Sequence, residues 1–233
     1  MTRLELGLSA RAVLSDRALL QAVLPKIRHI VEQYTSSRIA EVAWDTFSKS
    51  LRVSRYRKND TVEQAPNEFL IVLDGLLKEV HDSPGIEGQI SEFFSAGSVI
   101  ATKLEPPWSR VLKTPFSVVS PDLVRPKIPP MTAYAIEPST VIRVNWDLIH
   151  RLAAVRPEWG EFQVSLLWTY IEEQYSVILQ LREKRTLARY QALMQRSDLV
   201  GRLTQRDTAA YLGITESALS RFIRRSDSDF ETR

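Results

Sequence analysis

The sequence predicts an α+β chain: an antiparallel β-roll with flanking helices, then a long helix suited to pairing with its own copy, then an all-α helix-turn-helix. Three observations carry this. Period-two apolar alternation broken by turn signals fills residues 51–98 and returns at 131–144. A helical run opens at Pro157 and continues to about 184, with apolar residues three and four apart. Residues 203–225 hold two short amphipathic segments hinged at Gly213. The expected units are 1–156 for the helices and roll, 157–185 for the long dimerisation helix, and 186–233 for the helix-turn-helix.

Composition narrows the function. A chain of 233 residues with 44% hydrophobic content can bury one sizeable core, or a main domain with an appendage. The N-terminus lacks the basic, apolar and cleavage pattern of a signal peptide, and no apolar run approaches spanning length. The cytoplasm is therefore the expected compartment and no membrane contact is expected. Zero cysteines exclude a disulfide, a thiolate nucleophile, Cys-ligated zinc and an ordinary iron–sulfur cluster. His29, His81 and His150 are far apart and lack metal-ligand spacing. With no GxGxxG, P-loop or GxSxG, the sequence offers no catalytic residue, no metal ligand and no cofactor, and it reads as a non-enzyme.

Residues 1–50 read as helical. Leu19, Leu20, Val23, Ile27, Ile30 and Val31 form one stripe, which Pro25 should bend or restart. Ser36 or Ser37 is the expected cap of a second helix, with Ile39, Ala40, Ala43, Trp44 and Phe47 on one face; both helices should cover a sheet edge. LRVSRYRK then alternates up to a turn at Lys58, Asn59 and Asp60. Strands are expected at 69–73, 76–81 and 89–94, punctuated by Asp74-Gly75, Pro84-Gly85 and Ala96-Gly97-Ser98. Eight of the twelve prolines fall in 106–138, a loop-rich insert that fragments the sheet. Strands resume at 131–137 and 140–144, and Asn145 should cap the short helix DLIHRLAAV.

The long helix starting at Pro157 carries two apolar tracks. Val164, Leu167, Ile171, Gln174, Ile178 and Leu181 alternate steps of three and four, the seam of a two-helix coiled coil with Gln174 as its polar register-setting member. Trp159, Phe162, Leu166, Tyr170 and Val177 lie on another side and suit packing against the roll. Two tracks need two partners, and the second can be a copy of the same helix, which predicts a homodimer.

A helix at 186–195 precedes the helix-turn-helix. Thr204 should cap the first helix, with Asp207 three residues on; Thr208, Ala209 and Leu212 form its buried side, and Gly213 takes the positive-φ position after it. Thr215 should cap the second helix, which buries Ala218, Leu219, Phe222 and Ile223 and exposes Glu216, Ser217, Ser220, Arg221, Arg224 and Arg225. Short polar residues followed by arginines suit the major groove of B-DNA. Residues 182–225 hold ten basic and four acidic residues, out of 31 and 28 in the whole chain, so positive charge gathers at the expected reader. The closing SDSDFETR reads as a polar, frayed end.

This order of parts, together with AAYLGITESALSRFIRR, resembles the Crp/Fnr family of bacterial transcription regulators over roughly 53–225. Ala209, Gly213, Leu219, Ser220 and Arg221 carry the match, with TLARYQALM before them and, more weakly, FLIVLDGLLKEV and SAGSVI in the roll. The resemblance implies a homodimeric, sequence-specific regulator that binds an inverted-repeat DNA site and has RNA polymerase as a partner. Arg221 would reach a guanine edge, with Glu216 and Ser217 reading neighbouring bases. Thr204, Thr215, Ser220, Arg224 and Arg225 would touch phosphates.

The family's cyclic-nucleotide cassette is degenerate here. GSVIATKLEPP has no Glu directly after its glycine, and PPMTAYA keeps Thr132 and Ala133 but has Met131 at the arginine place. Burying a cyclic phosphate without a cation is unfavourable, so regulation by cAMP is not expected. The roll then senses an unknown small-molecule effector or only supports dimerisation. The chain also lacks the strand pair that commonly follows the recognition helix in this family. Two alternatives remain: a cupin-like metalloenzyme built on the β-roll, which needs clustered His and carboxylate ligands, and a protein-interaction module whose helix-turn-helix never meets DNA.

Overall fold

The computed structural model describes residues 16–65, 67–82, 85, 88–100, 131–182 and 186–231. Residues 1–15 and most of the proline-rich insert, whose expected forms were helical and loop-rich, lie outside that set. Among the described residues, eight strands form two antiparallel four-stranded sheets. Sheet one has the order β1 (Arg52–Tyr56), β8 (Ser139–Asn145), β3 (Glu68–Asp74), β6 (Val99–Ile100). Sheet two has the order β2 (Thr61–Val62), β7 (Met131–Ala135), β4 (Leu76–His81), β5 (Ile90–Ser95). Neither β2 nor β6 was expected from the sequence, because two residues are too few to show a period.

The alternation along the strands sorts side chains into three cores. Leu70, Val72, Leu77, Phe94, Ala135 and Val141 fill the space between the sheets. The opposite face of sheet one presents Phe69, Leu73, Ile142 and Val144 to four helices: α1 (Asp16–Gln33), α2 (Glu41–Ser50), α3 (Trp146–Ala153) and α4 (Pro157–Arg182). The first two helices thus cover a sheet face, where an edge was expected. A face offers a continuous apolar surface to Val23, Ile27, Ala43 and Phe47, whereas an edge offers mainly backbone polar groups. The third core, on the outer face of sheet two, takes α5 (Thr186–Gln195), α6 (Gln205–Leu212) and α7 (Glu216–Glu231).

Local chemistry explains the element ends. α1 does not restart at Pro25 but continues through it as one helix. Both Pro25 and Gln21, whose carbonyl loses a donor, are exposed, so water can replace the missing bond. Neither Ser36 nor Ser37 caps α2; Ala40 occupies that place without a side-chain bond. Ser36 instead gives its N–H and hydroxyl to the Glu161 carboxylate of α4, at 2.6 and 2.9 Å. Arg28 orients the start of α2 by pairing with Glu41 at 2.8 Å and donating to the Ile39 carbonyl. Asn145 caps α3 by accepting from the Leu148 N–H at 2.9 Å. At the β3–β4 turn Gly75 takes φ +93°, and a Cβ there would lie 2.6 Å from Ser139 Cα, so only glycine fits. Among the described residues, no helix is long and apolar enough to cross a membrane.

Candidate nucleic-acid interface

The α6–α7 pair is held by its ends. Thr204 caps α6: its hydroxyl accepts from the Asp207 N–H at 3.1 Å and donates to Asp207 Oδ2 at 2.6 Å. Gly213 ends the helix at φ +68°, and Ile214 and Gly213 return their N–H groups to the Ala209 and Ala210 carbonyls, the six-to-one and five-to-two bonds of a Schellman motif. Thr215 then caps α7, accepting from the Ala218 N–H at 3.2 Å. Ala209, Leu212 and Leu219, each at most 2% exposed, lie in the apolar core that this pair shares with the outer face of sheet two. Tyr190 of α5 meets Phe222 edge-on at 5.8 Å.

Burying that side of α7 leaves the other side open. Glu216, Ser217, Arg221 and Arg224 are exposed, Ser220 is half-buried, and the Arg221 Nε donates weakly back to the Ser217 carbonyl at 3.4 Å. The residues expected to read bases therefore stand together on one face at the start of a capped helix. Thr215 lies at its N-terminus; the Arg225 side chain lies outside the described residues. Thr204 is exposed, yet its single hydroxyl hydrogen is committed to Asp207, so that hydroxyl cannot also donate to a phosphate. α7 does not end at Arg225 but continues to Glu231, since no glycine or proline intervenes to stop it.

Asp207 itself is buried. Burial opposes its ionisation, but hydrogen bonds from Lys78 and Thr204 outweigh that and hold the carboxyl below the usual aspartate range. Lys78 lies on β4, so this ion pair joins the sheet to the start of α6. Neither partner has a sequence signature, because each is an ordinary charged residue until the fold brings them together.

On α4 Trp159, Phe162 and Leu166 of the expected inward track are buried in the core that the helices share with sheet one. Trp159 meets Phe47 of α2 at 4.9 Å and Tyr170 packs beside them, while the Val177 side chain lies outside the described residues. Leu167, assigned to the outward seam, instead packs partly against the same core. The exposed apolar stripe is Val164, Trp168, Ile171 and Tyr175, 56–67% exposed. Its four-three-four spacing is also readable in the sequence, but leucine at 167 masks it. The Gln174, Ile178 and Leu181 side chains lie outside the described residues.

Inside the roll, Glu79 is 5% exposed, accepts from Ser91 at 2.9 Å and stands directly across the ladder from Ala133 of the degenerate cassette. Arg143 shares the face of β8 that carries Val141, but its guanidinium is taken up by Glu68, Tyr56, Ser54 and the Glu63 carbonyl. Among the described residues no group of three or more His, Asp or Glu side chains could hold a metal ion.

No protein-family model matches the chain. No curated protein matches it either. Solved structures do. A transcriptional regulator of the Crp/Fnr family from Eubacterium rectale aligns over 82% of this chain and 85% of its own at 12% identity, with a TM-score of 0.59. A cyclic nucleotide-binding domain protein from Listeria monocytogenes aligns over 88% and 91% at 12% identity, TM-score 0.56. The c-di-GMP responsive global regulator CLP from Xanthomonas campestris aligns over 82% and 93% at 9% identity, TM-score 0.55. Over most of its length the chain thus has the fold of the Crp/Fnr transcription regulators and cyclic nucleotide-binding domain proteins.

Proposed function

We propose that the protein is a sequence-specific, DNA-binding transcription regulator of the Crp/Fnr type that acts as a homodimer. Residues 1–156 form the effector or scaffold unit, 157–185 the dimerising helix and 186–233 the helix-turn-helix. The observation that carries this reading is the open face of α7, where Glu216, Ser217 and Arg221 stand exposed beside Arg224 on a capped helix. Arg221 suits a bidentate contact to guanine, and Glu216 can accept from cytosine. Thr215, Ser220, Arg224 and Arg225 suit phosphates, which position the helix without specifying sequence.

Two copies joined along α4 require an inverted repeat with half-sites about one helical turn, roughly 34–36 Å, apart. Val164 and Ile171 of the expected seam remain in the interface, with Trp168 and Tyr175 replacing Leu167 as its core. The roll answers to an effector other than cAMP or serves dimerisation alone; a buried carboxylate across from Ala133 disfavours an anionic phosphate there. Such a regulator works in the bacterial cytoplasm and acts on RNA polymerase at the promoter.

Selection of duplexes from a random library tests the reading. Wild-type protein should enrich an inverted repeat. Arg221→Ala should cost about 1–3 kcal/mol per half-site and relax one base position, while Arg224→Ala should weaken all sequences alike and reduce the salt slope. Failure to enrich any duplex at low salt refutes DNA recognition. A selected sequence altered by Arg224→Ala but not by Arg221→Ala refutes the placement of α7 in the groove.

A further inference from the structure

The α5–α7 module is clamped to the outer face of sheet two by matched charges around an apolar centre. Lys78 of β4 pairs with Asp207 of α6 at 2.6 Å. Glu92 of β5 pairs with Arg196 at 2.6 Å, and Arg196 also donates to the Phe93 carbonyl. Ser95 donates to Asp198 at 2.6 Å, and Glu137 pairs with Arg202. The sheet thus offers plus, minus and minus where the head offers minus, plus and plus. Between these ties the rings of Phe93 and Tyr211 meet at 5.3 Å.

An apolar face by itself is non-directional and would let the head slide or rotate. Charge-assisted bonds at several corners fix its rotation, because each requires a particular distance and angle. The clamp's ion pairs and hydrogen bonds involve none of the exposed α7 residues Glu216, Ser217, Arg221 and Arg224. Lys78 also reaches further than a tether. Its ammonium holds the carboxylate that receives the Thr204 cap hydroxyl, so it sets where α6 begins, and α6 sets α7 through the Gly213 turn.

We propose that this docked arrangement is the DNA-reading state and that Lys78 is a positioning residue for DNA recognition, acting through Asp207 and Thr204. The proposal rests on the regulator reading above. Two half-sites at fixed separation demand two heads at fixed separation, and a rigid dock on each roll removes the orientational freedom that binding would otherwise have to freeze.

The absence of cysteine from the chain permits a clean test. Glu137→Cys with Arg202→Cys places two thiols across the dock, to be joined within one subunit by a short bismaleimide and verified by mass. The cross-linked full-length protein should bind the selected operator within about threefold of the uncross-linked form. Lys78→Met should bind about tenfold more weakly, keep the same base preference, and accept operators with one or two base pairs added between half-sites. Cross-linking Lys78→Met should restore both affinity and spacing, a rescue that a general loss of stability would not show.

Three results overturn the proposal: a cross-linked form that loses binding at least tenfold, a Lys78→Met protein indistinguishable from wild type, or failure of the two thiols to join within a subunit. Wild-type protein that binds no duplex refutes the regulator reading and the proposal with it. Bound wild type together with a silent cross-linked form refutes the proposal alone.

Discussion

Replacing Trp168 by glutamate should convert a dimer into a folded monomer. An aromatic side chain carries about 150–250 Å² of surface. With Trp168 62% exposed, roughly 90–150 Å² of it remains to be covered. At about 25 cal/mol per Å² that is roughly 2–4 kcal/mol per copy, and twice as much across a two-fold axis. Halving the sum for incomplete burial leaves about 2–4 kcal/mol, a rise of roughly 30- to 1,000-fold in the dimer Kd. The indole N–H already donates to Glu172 at 2.9 Å, so the wild-type ring can enter a seam without an orphan donor. Sedimentation velocity across a dilution series reads the change, and circular dichroism checks that helices persist. Leu167→Glu is the contrast: because Leu167 packs on the monomer core, it should lower the melting temperature as well. A wild-type monomer at tens of micromolar, or a Trp168→Glu protein of unchanged mass, would refute the assignment of this stripe to the dimer.

Other outcomes follow from the geometry. Gly213→Ala should cost only the strain of a left-handed residue, about 1–2 kcal/mol in urea unfolding, since a Cβ there meets nothing within 4 Å. Gly75→Ala should cost clearly more, because its Cβ would also strike the Ser139 backbone; equal costs would show that the β3–β4 turn yields freely. Asp207 titrates lower in the folded chain than unfolded, so its stabilisation is complete above about pH 4 and is lost as pH falls through the folded value. Melting temperatures measured from pH 6 to 3 should fall less steeply in Lys78→Met than in wild type; parallel curves would deny the ion pair that role. Calorimetry should find no micromolar binding of cAMP, as Arg143 is already paired and Glu79 faces the cassette strand. A one-site isotherm per subunit would mean another cation serves the phosphate.

Much of the architecture was legible in the chain because it rests on neighbours a few residues apart. Thr204, Gly213 and Thr215 announce two helices and the turn between them through cap chemistry alone, and Asn145 does the same for α3. Strand alternation likewise located β1, β3, β4, β5, β7 and β8 to within a residue or two, since each side of a strand faces one environment. The exposed face of α7 needed no more than helical spacing.

What the tertiary structure alone decided involves residues that periodicity ranks equally or that lie far apart. α4 is apolar over more than half its circumference, so the sequence could not tell whether Leu167 or Trp168 would face outward; packing of Trp159 and Phe162 on sheet one rotates the helix and settles it. Ser36 looked like a cap, yet Glu161, 125 positions away, offers its hydroxyl a charged acceptor. Lys78 and Asp207 are 129 positions apart, and only the docking of α6 on sheet two makes them a pair. Local chemistry thus specifies the elements, while the choice among equivalent faces and distant charges depends on which surfaces the folded chain brings within reach.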